Sequence, residues 1–333
     1  MYTLTIFALT VGLSALSTLA ADTPSGLDNG WDRKLFDYRR PEKLIVEQTT
    51  PTDAEVNFWI RPPRISHDAP DPKASGPAEP RVMGNANVIH LLFRDATGDL
   101  VPALLCTPKD KPGPFPLVIA IHGLMSNKIQ VCGQVAPALL KHGFAVLAAD
   151  LPCHGERPGN PLDLIPGSDW QKVFPKYRKA VVDNRQLIDL AETLPQLDVK
   201  SGINFVGYSL GSWVSCVVGP CDDRVKAMAL MVGGAHNIPE SALKIPEMRA
   251  VDPRLAIVHF AGRPLLLLNG RNDNLVVASM SERLFAACPE PKKQLWYDSG
   301  HLLPAEAYAD GADWIAKRAE THRDAEAGQK RAG

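Results

Sequence analysis

A serine held between two glycines, Gly207-Tyr208-Ser209-Leu210-Gly211, is the strongest chemical signal in the chain. The apolar run Ile203-Asn204-Phe205-Val206 precedes it, and the small-residue stretch Ser212–Val218 follows. That order is strand, sharp turn, helix. It is the setting in which G-x-S-x-G exposes a serine hydroxyl at the end of a sheet. The glycines are needed because strand and helix backbones crowd the turn too closely for side chains. Ser209 is therefore the candidate nucleophile. A serine hydroxyl is weak in that role until a positioned base takes its proton. The base in turn needs a carboxylate to fix its tautomer.

Both partners are legible further along the chain. The segment Asn269-Gly270-Arg271-Asn272-Asp273 follows the apolar run Leu265–Leu268, and Asp273 is the candidate carboxylate. The segment Asp298-Ser299-Gly300-His301 follows Leu295-Trp296-Tyr297, and His301 is the candidate base. The order Ser209, Asp273, His301 is the one expected when the nucleophile sits on a strand-to-helix elbow. Asp298 is a rival acid, but it shares a short loop with His301 and would have to fold back on it. After Leu117–Ile121 comes His122-Gly123-Leu124-Met125-Ser126-Asn127. Gly123 permits an open backbone there, and the amides of Leu124 and Leu210 are the candidate oxyanion donors. Each such donor is worth about 3 kcal/mol in a transition state. The His122 side chain is expected to be a structural hydrogen-bonding group rather than a base.

These residues need a rigid frame. Short, nearly continuous apolar runs recur at Leu117–Ile121, Ala145–Ala149, Ile203–Val206, Met228–Val232, Pro264–Leu268 and Gln294–Tyr297. Such runs mark parallel strands buried on both faces. Helical patterns separate them, Tyr177–Leu194 being the clearest. The alternation predicts an α/β fold, a mostly parallel central sheet flanked by helices. Ahead of it, Val88–Phe93 and Val101–Cys106 flank Gly98 and predict an antiparallel hairpin, with Pro102 suited to an edge. Ligands of such sheets bind beyond the carboxyl ends of the strands, which is where the candidate residues fall. Residues 156–176 and 236–262 are candidate cap insertions.

With 333 residues, a net charge of −1 and no long charged run, nothing points to nucleic acid or an anionic membrane surface. The uncharged apolar stretch Leu4–Leu19 before Ala20-Ala21 predicts a signal peptide over residues 1–21 and an exported protein, with no membrane span after its removal. Residues 22–86 read as an extension or linker, 87–320 as the catalytic domain and 321–333 as a polar tail. Within the extension, Leu44–Ile60 suits either a helix or a short strand. Of the six cysteines, Cys216 and Cys221 are close in sequence, and Cys132 and Cys153 are placed to meet near the active face. No C-x-x-C occurs, which argues against zinc or redox chemistry.

Over residues 87–320 the chain resembles the α/β-hydrolase superfamily, and within it the carboxylesterase, acetyl-esterase and dienelactone-hydrolase-like branches. The resemblance is carried by His122-Gly123, the loop Asp150-Leu151-Pro152-Cys153-His154-Gly155, the Gly207–Gly211 elbow, Gly270-x-x-Asp273 and Gly300-His301. It implies a serine hydrolase acting on a small-molecule or carbohydrate ester, with a short acyl group and no metal or organic cofactor. It also implies a structural role for Asp150. Dienelactone hydrolases themselves use cysteine as nucleophile, and Ser209 departs from that toward an esterase. Two other readings share the frame: a serine peptidase of the prolyl-oligopeptidase type, and a non-catalytic binding protein. The residues leave the acyl group, the alcohol and the oligomeric state open.

Overall fold

Strands that are apolar at every position need cover on both faces, and the central strands of this chain receive it. The computed structural model describes residues 29–42, 44–51, 86–165 and 169–332. Among these, nine strands form one sheet in the order β1-β2-β3-β5-β4-β6-β7-β8-β9. They are β1 (Ile45–Thr49), β2 (Ala86–Arg94), β3 (Leu100–Pro108), β4 (Phe115–Ile121), β5 (Ala145–Ala149), β6 (Leu197–Tyr208), β7 (Val225–Met231), β8 (Leu265–Gly270) and β9 (Lys292–Tyr297). Pairing is antiparallel from β1 through β3 to β5, and parallel from β5 across to β9. The expected mostly parallel sheet is present.

The helices are α1 (Lys128–Lys141), α2 (Trp170–Ala191), α3 (Leu210–Cys221), the short α4 (Pro246–Ala250) and α5 (Pro253–Ile257), α6 (Ala278–Ala287) and α7 (Ala305–Ala332). Side chains alternate across a strand, so β4 feeds two cores. Leu117, Ile119 and Ile121 join one apolar cluster with Tyr177, Val181 and Leu187 of α2 and Val214 and Val217 of α3. Val118 and Ala120 join another with Val131, Val135 and Leu139 of α1 and Ala307 and Ile315 of α7. Fully burying a leucine or isoleucine stabilises by about 1.5–3 kcal/mol, so the loops leaving this sheet start from fixed points. From β4 the chain goes to β5 on one side, then returns to β6 on the other. Ligands of such sheets bind beyond the carboxyl ends at such a reversal, and here the loops that carry Gly123 and Ser209 flank it.

The β2–β3 hairpin forms as expected, with Arg94 opposite Leu100. Pro102 is not on an edge: β3 lies between β2 and β5. Its missing N–H is tolerated because the β3–β5 register starts one residue later, at Ala103 opposite Ala149. Part of the expected extension belongs to the domain. Trp31 donates its indole N–H to Ala250 O at 3.0 Å, Phe36 and Leu44 are buried, and β1 pairs with β2. These few apolar anchors follow no period, so no local pattern marks them. The strand settles the choice for Ile45–Thr49. The predicted signal peptide, residues 1–21, and residues 52–85 of the extension lie outside the described residues. Much of the expected polar tail continues α7, which runs to Ala332. No helix among the described residues is long and apolar enough to cross a membrane.

All six cysteines are free thiols. Cys132 and Cys153 do not meet, because Cys132 lies in the α1 cluster and Cys153 packs against the opposite one. The neighbour of Cys132 is the Cys106 thiol.

Candidate active site

The elbow works as its glycines require. A Cβ on Gly207 would lie 2.5 Å from Gly211 O, and one on Gly211 would lie 2.0 Å from Ile121 O. Ser209, between them, has φ 53 and ψ −114, a strained backbone for a residue with a side chain. The surroundings hold it there. Ser209 N–H donates to Met231 O at 2.9 Å, and the Ser212 hydroxyl, 2.8 Å from both Gly207 O and Met231 O, ties the turn to β7. A serine at a helix N-cap normally turns its hydroxyl onto the first helical amides. Ser209 makes no such bond.

The hydroxyl instead faces His301. Ser209 Oγ is 3.0 Å from His301 Nε2, and His301 Nδ1 is 2.8 Å from Asp273 Oδ2. Asp273 is buried, and its other oxygen accepts the N–H groups of Leu275 at 2.8 Å and Val276 at 3.0 Å. With the carboxylate as acceptor, Nδ1 carries the proton and Nε2 presents its lone pair to the serine. The three residues singled out from sequence thus form one hydrogen-bonded line across three loops. Asp298, the rival acid, instead accepts from Asn272 Nδ2 at 2.8 Å.

Two further residues hold the His301 loop, and the first of them, Tyr208, carried no local signal. The Tyr208 hydroxyl donates to His301 O at 2.7 Å, and its ring sits edge-on to the imidazole at 6.1 Å. Tyr208 is the variable residue before the nucleophile, a position the motif leaves blank. Gly270 lets the loop close, since a Cβ there would lie 2.2 Å from Gly300 O.

The loop after β4 lies against the elbow: a Cβ on Gly123 would be 3.3 Å from Tyr208 O and 3.4 Å from Ser209 Cβ. Within the hydrogen bonding of the described residues, the Leu124 and Leu210 amides, the two candidate donors, have no acceptor. His122 is structural, as expected. Its Nε2 accepts Leu151 N–H at 3.0 Å, so Nδ1 carries the proton and donates to Gly123 O at 2.8 Å. Burial pushes its pKa down to about 4, which keeps it neutral.

Asp150 clamps the same loop from behind. Its carboxylate accepts Lys128 N–H at 2.9 Å, Lys128 Nζ at 2.8 Å and Glu156 N–H at 3.0 Å. Lys128 Nζ also pairs with Glu156, and both Lys128 and Asp150 are buried. Gly155, at φ +58, is required because a Cβ would lie 2.3 Å from the Asp150 carboxyl carbon. This pair pins the start of α1, just past Leu124. Among the described residues no three His, Cys, Asp or Glu side chains are grouped to hold a metal ion.

Residues 101–301 match the dienelactone hydrolase family. The matched stretch begins in β3 and ends on His301, so it spans the elbow, both flanking loops and the acid. The chain belongs to the dienelactone hydrolase family. Membership makes it a hydrolase of ester substrates, and its architecture is the α/β-hydrolase fold. The chain is 26% identical over 215 residues to Esterase YjfP of Escherichia coli strain K12, covering 57% of this chain and 82% of that one. An acetyl xylan esterase from Paenibacillus sp. R4 superimposes with a TM-score of 0.57 at 16% identity, over 85% of this chain and 98% of that one. A cold-adapted esterase from an Arctic intertidal metagenomic library gives 0.55 at 20% identity, over 70% and 94%. These two likenesses bear on fold alone.

The elbow of this family member makes a sharp prediction. Gly211→Ala is expected to lower kcat on the order of 10²-fold, because a Cβ at 2.0 Å from a backbone oxygen must push the Ile121–Leu124 segment out of place. The same overpacking is expected to cost about 1–3 kcal/mol of stability. Steady-state kinetics and thermal unfolding of the variant check both, and an unchanged kcat would contradict the tight contact.

Proposed function

We propose that this protein is a serine esterase, cleaving a carboxylic ester through an acyl-enzyme formed on Ser209. The reading rests above all on the unbroken line from Ser209 Oγ through His301 to Asp273, at 3.0 and 2.8 Å. In that line His301 Nε2 accepts the hydroxyl proton as Ser209 Oγ attacks the acyl carbon. Asp273 keeps the proton on Nδ1 and stabilises the imidazolium that forms. The amides of Leu124 and Leu210 receive the oxyanion, each contributing about 3 kcal/mol. His301 then hands its proton to the departing alcohol oxygen. Water enters and gives a proton to His301 as its oxygen attacks the acyl carbon, and His301 returns that proton to Ser209 Oγ as the carbon–Oγ bond breaks and the carboxylic acid departs.

The chemistry of this cycle calls for no cofactor. The substrate is read as an ester with a short acyl group, its alcohol a small molecule or a carbohydrate. Export belongs to the same reading, on the strength of the uncharged Leu4–Leu19 stretch.

A fluorophosphonate probe tests the assignment. Intact-mass analysis is expected to find one adduct, with peptide mapping locating it on Ser209, and the Ser209→Ala variant is expected to remain unlabelled. Undiminished labelling of that variant would overturn the assignment. Parallel assays with p-nitrophenyl esters and peptide anilides separate an esterase from a peptidase on the same frame.

A further inference from the structure

The large apolar side chains left in water on this molecule are not scattered evenly. Among the described residues six are exposed: Leu100, Met125, Leu162, Leu275, Val277 and Leu302. Four of them stand on the loops that leave β4, β8 and β9 beside Ser209. Met125 adjoins Leu124, Leu275 and Val277 follow Asp273, and Leu302 follows His301 directly. Leu275 is 71% exposed and Leu302 75%.

One exposed leucine needs no explanation. Apolar groups fixed beside both the acid and the base do. Their backbones are fastened: Leu275 N–H donates to Asp273 Oδ1 at 2.8 Å, the carboxylate whose other oxygen accepts from His301. Leu302 lies between His301, whose carbonyl accepts from the Tyr208 hydroxyl at 2.7 Å, and Leu303, whose N–H reaches the same hydroxyl at 3.4 Å. The exposure of these leucines therefore does not come from a loose chain.

The route of the proton says which part of an ester meets them. His301 Nε2 protonates the departing alcohol, so the alcohol oxygen must come within hydrogen-bond reach of that nitrogen. The rest of the alcohol then extends over the loops of His301 and Asp273. We propose that Leu275, Val277 and Leu302 form an apolar rim that recognises the alcohol portion, making the substrate an ester of an alkyl alcohol rather than of a sugar. The inference rests on the serine-esterase reading and deepens it. Leucine methyls gain by covering alkyl carbon and offer a sugar hydroxyl nothing.

The test holds the acyl group at acetate and lengthens the alcohol. Ethyl, butyl and hexyl acetate, each below its solubility limit, are compared with acetylated xylose by following acid release. Fully burying one methylene is worth about a fourfold gain in affinity. Partial cover of four added methylenes is then expected to raise kcat/KM about tenfold from ethyl to hexyl acetate. Leu275→Gln and Leu302→Gln are expected to reduce that rise to about twofold each. Leu100→Gln, on β3 and separated from β6 by β5 and β4, is expected to keep the full rise. Fluorophosphonate titration of active sites normalises every sample. A flat alcohol series with normal titration, or preference for the acetylated sugar, would overturn the rim and leave the serine esterase standing. Absence of titration would overturn both.

Discussion

Ser209→Ala is expected to lower kcat/KM toward esters by a factor on the order of 10⁵–10⁶, leaving only what binding and the oxyanion amides supply. Asp273→Asn is expected to cost a factor of about 10³–10⁴, and the reason lies in hydrogen-bond polarity. Asp273 Oδ1 already accepts two amides, from Leu275 and Val276. An asparagine must keep its single oxygen on those amides, which turns its NH₂ group toward His301. There it meets the N–H of Nδ1, donor against donor. The imidazole relieves the conflict by moving its proton to Nε2, where it can no longer accept from Ser209. The loss is therefore expected mainly in kcat, with KM little changed. Stopped-flow and steady-state assays on both variants check the order, Ser209→Ala falling further. An Asp273→Asn enzyme within about tenfold of wild type would show that the buried carboxylate does not set the tautomer.

That same arrangement explains which features were legible before folding. Ser209, Asp273 and His301 each sit just past an apolar run, in a short segment that contains a glycine. Both signals are short-range, so a linear reading finds them. The inner parallel strands were legible for a similar reason, since burial on both faces leaves few polar positions to confuse the run, whereas β9, mostly half-buried and carrying Lys292 and Lys293, showed only its Gln294–Tyr297 end. What escaped was long-range. Tyr208 supports His301 across 93 residues, and Trp31 anchors to Ala250 across 219. No periodicity links such pairs. Pro102 misled for a related reason, since a proline can sit inside a sheet when its neighbour's register begins one residue later. Cys132 and Cys153 both fall in loops or helices near the active face in sequence, yet they belong to opposite faces of the sheet and do not meet. The apolar rim was hidden most deeply, because Leu275 and Leu302 have the composition of a core and only the loop conformation turns them outward.

Stability is expected to fall steeply between neutral pH and about pH 4, on account of buried histidines. Burial pushes the pKa of His122 and of His236 down to about 4, and that of His154 in the same direction. In the unfolded chain these groups titrate near 6.5. Between about 6.5 and 4 the unfolded state binds more protons than the native one, so stability rises with pH across this window. The contribution is complete above 6.5 and is lost as pH falls toward 4. Each fully buried ring accounts for about 3 kcal/mol over the whole window, and about 2 kcal/mol by pH 5. Glu156, pulled down to about 2 chiefly by its hydrogen bond from His90, loses its own stabilisation only below its unfolded value and is half exposed, so it adds little here. Urea denaturation at pH 7, 6 and 5 is expected to register the loss as a falling midpoint at constant slope. His236→Phe isolates one ring. The His236 imidazole packs 4.0 Å from the Trp213 ring and its Nε2 has no hydrogen-bond partner, so a phenyl group replaces it without orphaning anything. The variant is expected to match or exceed wild-type stability at pH 7 and to lose about 2 kcal/mol less on going to pH 5. An identical pH slope in variant and wild type would mean that His236 is protonated in the native state, and its burial against Trp213 would not be the source of the acid sensitivity.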